Sequence, residues 1–386
     1  MGDTGLFRSA VILFGLFNVC YTQSYDSCFT PRNENGDCKV ISSCPSLFAL
    51  LEKRPIKSQD ADYLRRSQCG FEGTLPKVCC PLGGQTSSTS KPVIDHNMEL
   101  KPSKSSLLPS TEMCGISTQD KIYGGTEAGL QEFPWMALVE YERDDRRHGF
   151  YCGGVLINSR YILTAAHCIK GKDLPKTWKL VSVRLGEHNT DNETDCYDNG
   201  FTVQCSPPPI NVPVEETVAH EQYDAYDVNQ YHDIGLLRLA REVTFTANVK
   251  PICLPKTAND QTKSFVGKKL TVAGWGKTET RSESSVKLKL DVPVKANSEC
   301  SRIYSQAGVN LQGSQVCAGG EKGKDSCRGD SGGPLMSLYA DENGEINWYS
   351  IGVVSFGPSP CGMQGWPGVY TKVANYVPWI ISKLRP

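Results

Sequence analysis

The run Lys324-Asp325-Ser326-Cys327-Arg328-Gly329-Asp330-Ser331-Gly332-Gly333-Pro334 sets a serine hydroxyl among glycines and carboxylates within eleven positions. A serine hydroxyl is a poor nucleophile at neutral pH. Chemistry at Ser331 therefore requires a base to take its proton and a carboxylate to orient that base. The neighbouring glycines let backbone N–H groups approach a developing oxyanion that side chains would obstruct. The bland alternative is a glycine-rich turn with a surface serine. Of the six histidines, His167 lies directly after an apolar run and beside a cysteine, in Leu163-Thr164-Ala165-Ala166-His167-Cys168. Taken alone, a histidine there is as readily structural as catalytic. Asp233, in Tyr231-His232-Asp233-Ile234-Gly235-Leu236-Leu237, stands at the mouth of a buried strand, where a carboxylate can orient an imidazole. Asp224 and Asp227 lie nearby but lack the apolar continuation.

The elements that must position these groups are short. From residue 122 to 386, apolar runs at 135–139, 161–165, 234–239 and 270–275 alternate with turn-rich spacers, the pattern of many short antiparallel strands in sandwiches or barrels. Residues 376–384 are apolar at helical spacing and are expected to close the fold as a helix.

The three segments, in the order His, Asp, Ser, resemble the chymotrypsin-like serine endopeptidases over essentially all of residues 122–386. The resemblance implies an all-β fold, a chymotrypsin-like double antiparallel β-barrel with a C-terminal helix and the triad in the cleft between barrels. It implies that His167 takes the proton of Ser331, that Asp233 holds the imidazole, and that the N–H groups of Gly329 and Ser331 form the oxyanion hole. By the same likeness Asp325, six residues before the serine, lies at the base of the pocket for the side chain preceding the cut. A carboxylate there favours Arg or Lys. Ser355, Phe356, Gly357 and Gly368 match the pocket walls; Phe356 stands where family members often carry Trp. Asp325 as a surface loop acid is the alternative. Lys121-Ile122-Tyr123-Gly124-Gly125 resembles the family's activation site, where a cut after a basic residue frees Ile122 to pair its ammonium with Asp330 and order the oxyanion loop. Acceptance of Lys by the enzyme's own pocket leaves self-activation open.

The sixteen cysteines that remain after removal of an N-terminal signal, an even number in an exported chain, point to disulfides. Paired Cys-x-x-Cys clusters with histidines at zinc spacing do not occur. The family pairing is Cys152 with Cys168, Cys300 with Cys317, Cys327 with Cys361 and Cys196 with Cys205, which leaves Cys114 for Cys253. Glu187, Asn189, Asn192 and Asp195 resemble the calcium loop of trypsins, with Glu187 and Asp195 offering side chains and Asn189 and Asn192 carbonyls. The family spacing is lost after Asn192, and a solvated acidic loop is the competing reading. No cofactor is expected for catalysis. Asn192-Glu193-Thr194 is the N-glycosylation sequon of the chain.

Residues 1–22 read as a secretory signal: Arg8 closes a short n-region, and residues 10–19 are an apolar core too short to span a bilayer. An uncleaved anchor is the alternative. The 41 basic and 42 acidic residues nearly cancel, so global charge points neither to nucleic acid nor to an anionic membrane. Residues 28–80 hold Cys28, Cys38, Cys44, Cys69, Cys79 and Cys80, a stapled unit too small to rest on apolar burial alone. Its middle, residues 46–66, has the pattern of short helical turns. Residues 81–121 form the linker and activation segment, with residues 82–112 rich in Ser, Thr, Pro and Lys and poor in aromatics.

The spacing C-x9-C-x5-C-x24-C-x9-C-C, followed by Pro81, resembles the clip domain of arthropod proteases. That likeness pairs Cys28 with Cys79, Cys38 with Cys69 and Cys44 with Cys80. The chain as a whole resembles the insect clip-domain proteases, the group holding easter, the Spätzle-processing enzymes and the prophenoloxidase-activating proteases. Implied with it are secretion into a haemolymph-like fluid, an upstream activating protease, a zymogen or cytokine-precursor substrate and a serpin inhibitor. The loop closed by Cys196 and Cys205 and the charged insertion at 142–148 fit this group as partner-binding loops, or are solvated surface. The competing functions are a broad-specificity digestive trypsin, which needs no clip domain, and a non-catalytic clip-bearing adaptor, which needs none of His167, Asp233 and Ser331.

Overall fold

The computed structural model describes residues 27–31, 35–51, 58–72, 75–81, 107–117, 127–198, 200, 202–277, 283–323, 329–342 and 344–386. The expected signal segment, most of the linker, the activation site at Lys121 and Ile122, and Asp325 and Cys327 lie outside these residues. The chain divides into two compact units, Met1–Met98 and Glu99–Pro386.

The smaller unit is a four-stranded antiparallel sheet with two helices: β1 (Ser27–Phe29), β2 (Asn35–Val40), α1 (Pro45–Leu51), α2 (Ser58–Arg66), β3 (Gln68–Glu72) and β4 (Leu75–Pro81), in the order β1-β2-β4-β3. Its core is small, with Cys44, Leu47, Val78 and Cys80 buried and Ile41, Leu50, Tyr63 and Leu64 packed against them. Three bridges, Cys28–Cys79, Cys38–Cys69 and Cys44–Cys80, supply the order that so few apolar contacts cannot. Each closes a loop of 31 to 51 residues, which removes entropy from the unfolded chain.

The larger unit holds two closed six-stranded antiparallel barrels. The first uses β5 (Met136–Glu142), β6 (His148–Leu156) and β7 (Tyr161–Thr164). After α3 (His167–Lys170) it continues through β8 (Lys179–Leu185), the β9 (Cys196–Asp198) and β10 (Val203–Cys205) hairpin, β11 (Ile210–Ala219) and β12 (Gly235–Leu239). Its order is β11-β12-β7-β6-β5-β8, and the β9–β10 hairpin forms a separate two-stranded sheet. After α4 (Ala258–Thr262) the second barrel follows as β13 (Lys269–Gly274), β14 (Leu288–Lys295), α5 (Asn297–Tyr304), β15 (Gln315–Gly319), β16 (Pro334–Ala340), β17 (Ile346–Phe356) and β18 (Pro367–Lys372). Its order is β13-β14-β15-β18-β17-β16. Closure removes the sheet edges that short strands would otherwise expose.

All four residues of β7 are buried, because one face points into the barrel and the other is covered. Part of that cover is α6 (Val377–Lys383), with Pro378 in its first turn and Val377, Ile380 and Leu384 buried in the core shared with the first barrel. The barrels are locked where Trp135 donates its indole N–H to Met336 Sδ (3.0 Å) and Phe133 meets Trp348 edge-on at 5.2 Å. Each large side chain so buried contributes about 1.5–3 kcal/mol. This shared core sets one barrel rigidly against the other, a precondition for a site assembled from both.

The structure corrects one expectation. The serine- and proline-rich stretch expected to run as linker through residue 112 is part of the protease unit from residue 107 onward. Asn158 Nδ2 donates to the Leu107 carbonyl, Asn347 Nδ2 to those of Thr111 and Cys114, and Gly115 exchanges backbone bonds with Pro251 and Trp348. Composition could not reveal this, because the partners are side chains more than fifty residues away. The charged insertion at 142–148 is the tip of the β5–β6 hairpin, with Glu142 opposite His148 and a turn closed by the Arg143 N–H to the Arg147 carbonyl (2.9 Å).

Candidate active site

Strand register brings His167 and Asp233 together. In the β7–β12 ladder Thr164 lies opposite Gly235, so the chain leaves β7 toward His167 at the same end where Asp233 enters β12. There Asp233 holds the histidine at two points: Oδ1 accepts the His167 backbone N–H (2.9 Å) and Oδ2 lies 2.8 Å from Nδ1. Asp233 is fully buried, and its remaining acceptors are used by the second barrel. Ser355 Oγ at the end of β17 donates to Oδ2 (2.5 Å), and Thr371 Oγ1 on β18 donates to the Asp233 carbonyl (2.7 Å). A buried carboxylate persists only when so paired.

Electrostatics follows the geometry. Burial works against the imidazolium of His167, but the charge and hydrogen bond of Asp233 override it and hold the histidine above its usual value. Burial alone would raise Asp233; the charge of His167 and the bonds from His167 and Ser355 hold the carboxyl below its usual value. The pair is therefore a base kept in one tautomer by an anion that stays ionised.

Ser331 sits on a turn between the barrels. Its carbonyl accepts the Gly153 N–H from β6 (2.7 Å), Gly332 donates to the Val354 carbonyl of β17 (3.0 Å), and Gly333 closes the turn on Asp330 (2.8 Å). Cys152, next to Gly153, is bridged to Cys168, next to His167, so the serine turn and the histidine loop share one anchor. Gly332 is obligatory: its φ is +79°, and a Cβ there would lie 2.2 Å from Thr164 Oγ1. Gly329, at φ +98°, passes so close to Gly276 that a Cβ would lie 2.8 Å from its Cα. Among the described residues no acceptor takes the N–H of Gly329 or of Ser331, the pair expected to receive an oxyanion. Asp330 turns inward, its Oδ1 accepting the Gly276 N–H (3.0 Å).

The expected pocket walls come from two paired strands. Ser355 and Phe356 end β17, Gly357 follows, and Gly368 lies in β18 beside Val369, the partner of Phe356. Phe356 packs edge-on against Tyr304 at 5.7 Å. Ser355 carries more than the wall role read from sequence, since its hydroxyl is spent on Asp233. Thr371 escaped sequence reasoning altogether. No local motif signals either contact, which exists only because the second barrel closes against β12.

Beyond the cleft, Cys114 bridges Cys253, Cys196 bridges Cys205 and Cys300 bridges Cys317; Cys361 is also bridged. Cys152, His167 and Cys168 place potential metal-ligand atoms within 4.8 Å of one another, but both sulfurs are consumed by their bridge. In the acidic loop Glu187 and Asp195 are buried while Asn192 is exposed. Asp195 accepts from the Asn189 N–H (3.0 Å) and Asn192 Nδ2 (3.3 Å), and the Asn189 carbonyl accepts the Asn192 N–H (3.0 Å).

Two antiparallel barrels with an aspartate-held histidine and a glycine-flanked serine turn between them define the architecture of a serine protease. Residues 122–380 match the family model described as Trypsin, and residues 28–80 the one described as Regulatory CLIP domain of proteinases. The chain belongs to the trypsin family of serine proteases, among the members that carry a CLIP domain. It is 47% identical to the CLIP domain-containing serine protease HP8 of Bombyx mori, over 92% of each chain. It is 42% identical to the Spaetzle-processing enzyme of Drosophila melanogaster, over 94% of this chain and 92% of the other. Identity is again 42% to Phenoloxidase-activating enzyme 1 of Spodoptera litura, over 97% and 98%. A crystal structure of the Drosophila Grass clip serine protease of the Toll pathway aligns with a TM-score of 0.62 at 37% identity, over 92% of this chain and 97% of that one.

Proposed function

We propose that this chain is a secreted zymogen that a cut after Lys121 converts into an endopeptidase cleaving protein substrates after Arg or Lys in an extracellular cascade. Its substrate is a zymogen or cytokine precursor of the prophenoloxidase or pro-Spätzle kind. The observation that carries the reading is the two-point hold of Asp233 on His167 beside the serine turn. Ser331 Oγ attacks the scissile carbonyl as His167 takes its proton. The N–H groups of Gly329 and Ser331 receive the oxyanion, and His167 returns the proton to the leaving amine. Water then releases the acyl group by the same proton path. Asp325 supplies the charge that selects a basic side chain, and Ile122, once freed, pairs with Asp330.

The cascade role is supported by the CLIP domain and by the names of relatives that span nearly the whole chain. Secretion is supported by the apolar segment within residues 1–22; among the described residues no helix is long and apolar enough to cross a membrane. A serpin inhibitor follows from the same reading. To test it, the full chain is cut after Lys121, labelled with a fluorophosphonate, and offered pro-Spätzle and prophenoloxidase with sequencing of the new N-termini. Label on Ser331 and cuts after Arg or Lys are expected. An unlabelled Ser331 would make the chain an adaptor, and cuts after other residues would remove Asp325 from the pocket.

A further inference from the structure

Three carboxylates are buried within reach of one lysine, Lys287: Glu132 before β5, Glu187 after β8 and Asp195 before β9, none more than 6% exposed. Three negative charges in so dry a setting require compensation. Trypsin-like chains are expected to meet that need at Glu187 and Asp195 with calcium. This chain brings its own cations. Arg184 Nη1 donates to Glu187 Oε2 (3.2 Å), and Lys289 Nζ reaches both oxygens of Glu132 (2.9 and 2.7 Å).

The third cation is Lys287, only 3% exposed although it lies just before β14. Backbone pairing fixes it there. Its N–H donates to the His188 carbonyl (2.8 Å) and its carbonyl accepts the Ala128 N–H (2.9 Å). On either side of it, Val286 bridges to Asn189 and Leu288 to Glu127. The residue is thus threaded between the acidic loop and the segment leading to Glu132, with its Nζ 5.9 Å from the centre of the Trp275 ring. The charges balance: Glu132, Glu187 and Asp195 against Arg184, Lys287 and Lys289. The remaining oxygens are engaged as well, Glu187 Oε1 with the His188 N–H (2.8 Å) and Asp195 with Asn189 and Asn192. A divalent ion would add two charges to a cluster whose formal charges already cancel, so this donor set does not fit one.

We propose that Lys287 is the resident cation of the acidic loop, and that it orders residues 186–195 against the segment before β14 without calcium. Its side chain is buried, and Glu132, Glu187 and Asp195 are the charges that oppose the cost of that burial. The consequence is a protease whose fold is indifferent to extracellular calcium.

The test uses the full chain with thermal unfolding and calcium titration calorimetry. Wild type is expected to unfold at the same temperature in EDTA and in millimolar calcium. Lys287→Met keeps the apolar stem and removes the charge. It is expected to unfold earlier in EDTA and to regain about 5–10 °C when calcium fills the vacated charge. Lys287→Arg should remain indifferent. Calcium binding to wild type that Glu187→Gln abolishes would overturn the proposal, as would a Lys287→Met protein as stable as wild type and blind to calcium. Should Lys287→Met not fold, the wild-type comparison decides alone.

Discussion

At the scale of single residues, the site depends on one carboxylate. Asp233→Asn should keep the fold yet offer Nδ1 of His167 a donor in place of an acceptor, which favours the wrong tautomer. Turnover of a small basic peptide substrate is expected to fall by roughly four orders of magnitude. The sign of the pH effect follows from the shift: Asp233 holds His167 above its usual value, and only neutral imidazole accepts the Ser331 proton. Wild-type kcat/KM should therefore drop as pH falls through that raised value, and in Asp233→Asn the acid limb should move to lower pH. An unmoved limb would mean that another group controls it. Ser355→Ala removes a hydrogen bond to the same anion, and a fall in kcat of roughly tenfold or more is expected with KM little changed. The His167–Asp233 pair stood out in sequence, as did Ser331, because each sits in a distinctive local string. Ser355 and Thr371 could not, since their contacts with Asp233 span 122 and 138 residues.

At the scale of elements, the site is carried by paired strand ends and by glycines with no room for a methyl group. Gly332→Ala would force a left-handed φ on alanine and press its Cβ into Thr164, so it should lower stability by about 2 kcal/mol or more and lose activity in the same step. Circular dichroism melting with active-site titration checks both. The apolar runs at 135–139, 161–165, 234–239 and 270–275 each became strands, three of them within one residue of their predicted limits and β5 running three residues further, to Glu142. Alternation and turn residues are local properties, so strands were legible. Which strands close on one another was not, since closure rests on pairings such as β11 with β8 and β13 with β16. The same limit explains why residues 107–117 read as linker. The small unit makes a separate prediction at this scale: replacing Cys44 and Cys80 together should cost it about 2–5 kcal/mol and expose it to limited proteolysis. Melting of the larger, separately cored unit should be unchanged.

At the scale of the whole molecule, two compact units share one chain, and the bond proposed to be cut, after Lys121, follows in sequence the segment 107–117 that the larger unit already holds. Cys114 is bridged to Cys253, and residues 107–117 are held by Asn158 and Asn347 as well. A cut after Lys121 should therefore give one band on a non-reducing gel and two after reduction; separation without reductant would contradict the bridge. The seam has a bearing on where the enzyme works. Because the Cys114–Cys253 bridge joins the two sides of the proposed cut, the CLIP unit would remain a permanent passenger of the catalytic unit after it. Any surface or partner that captures the passenger holds the protease nearby at a local concentration on the order of millimolar, far above that of the surrounding fluid. In the proposed activation the cut switches the chemistry on without setting it adrift, so a brief signal can leave a fixed address.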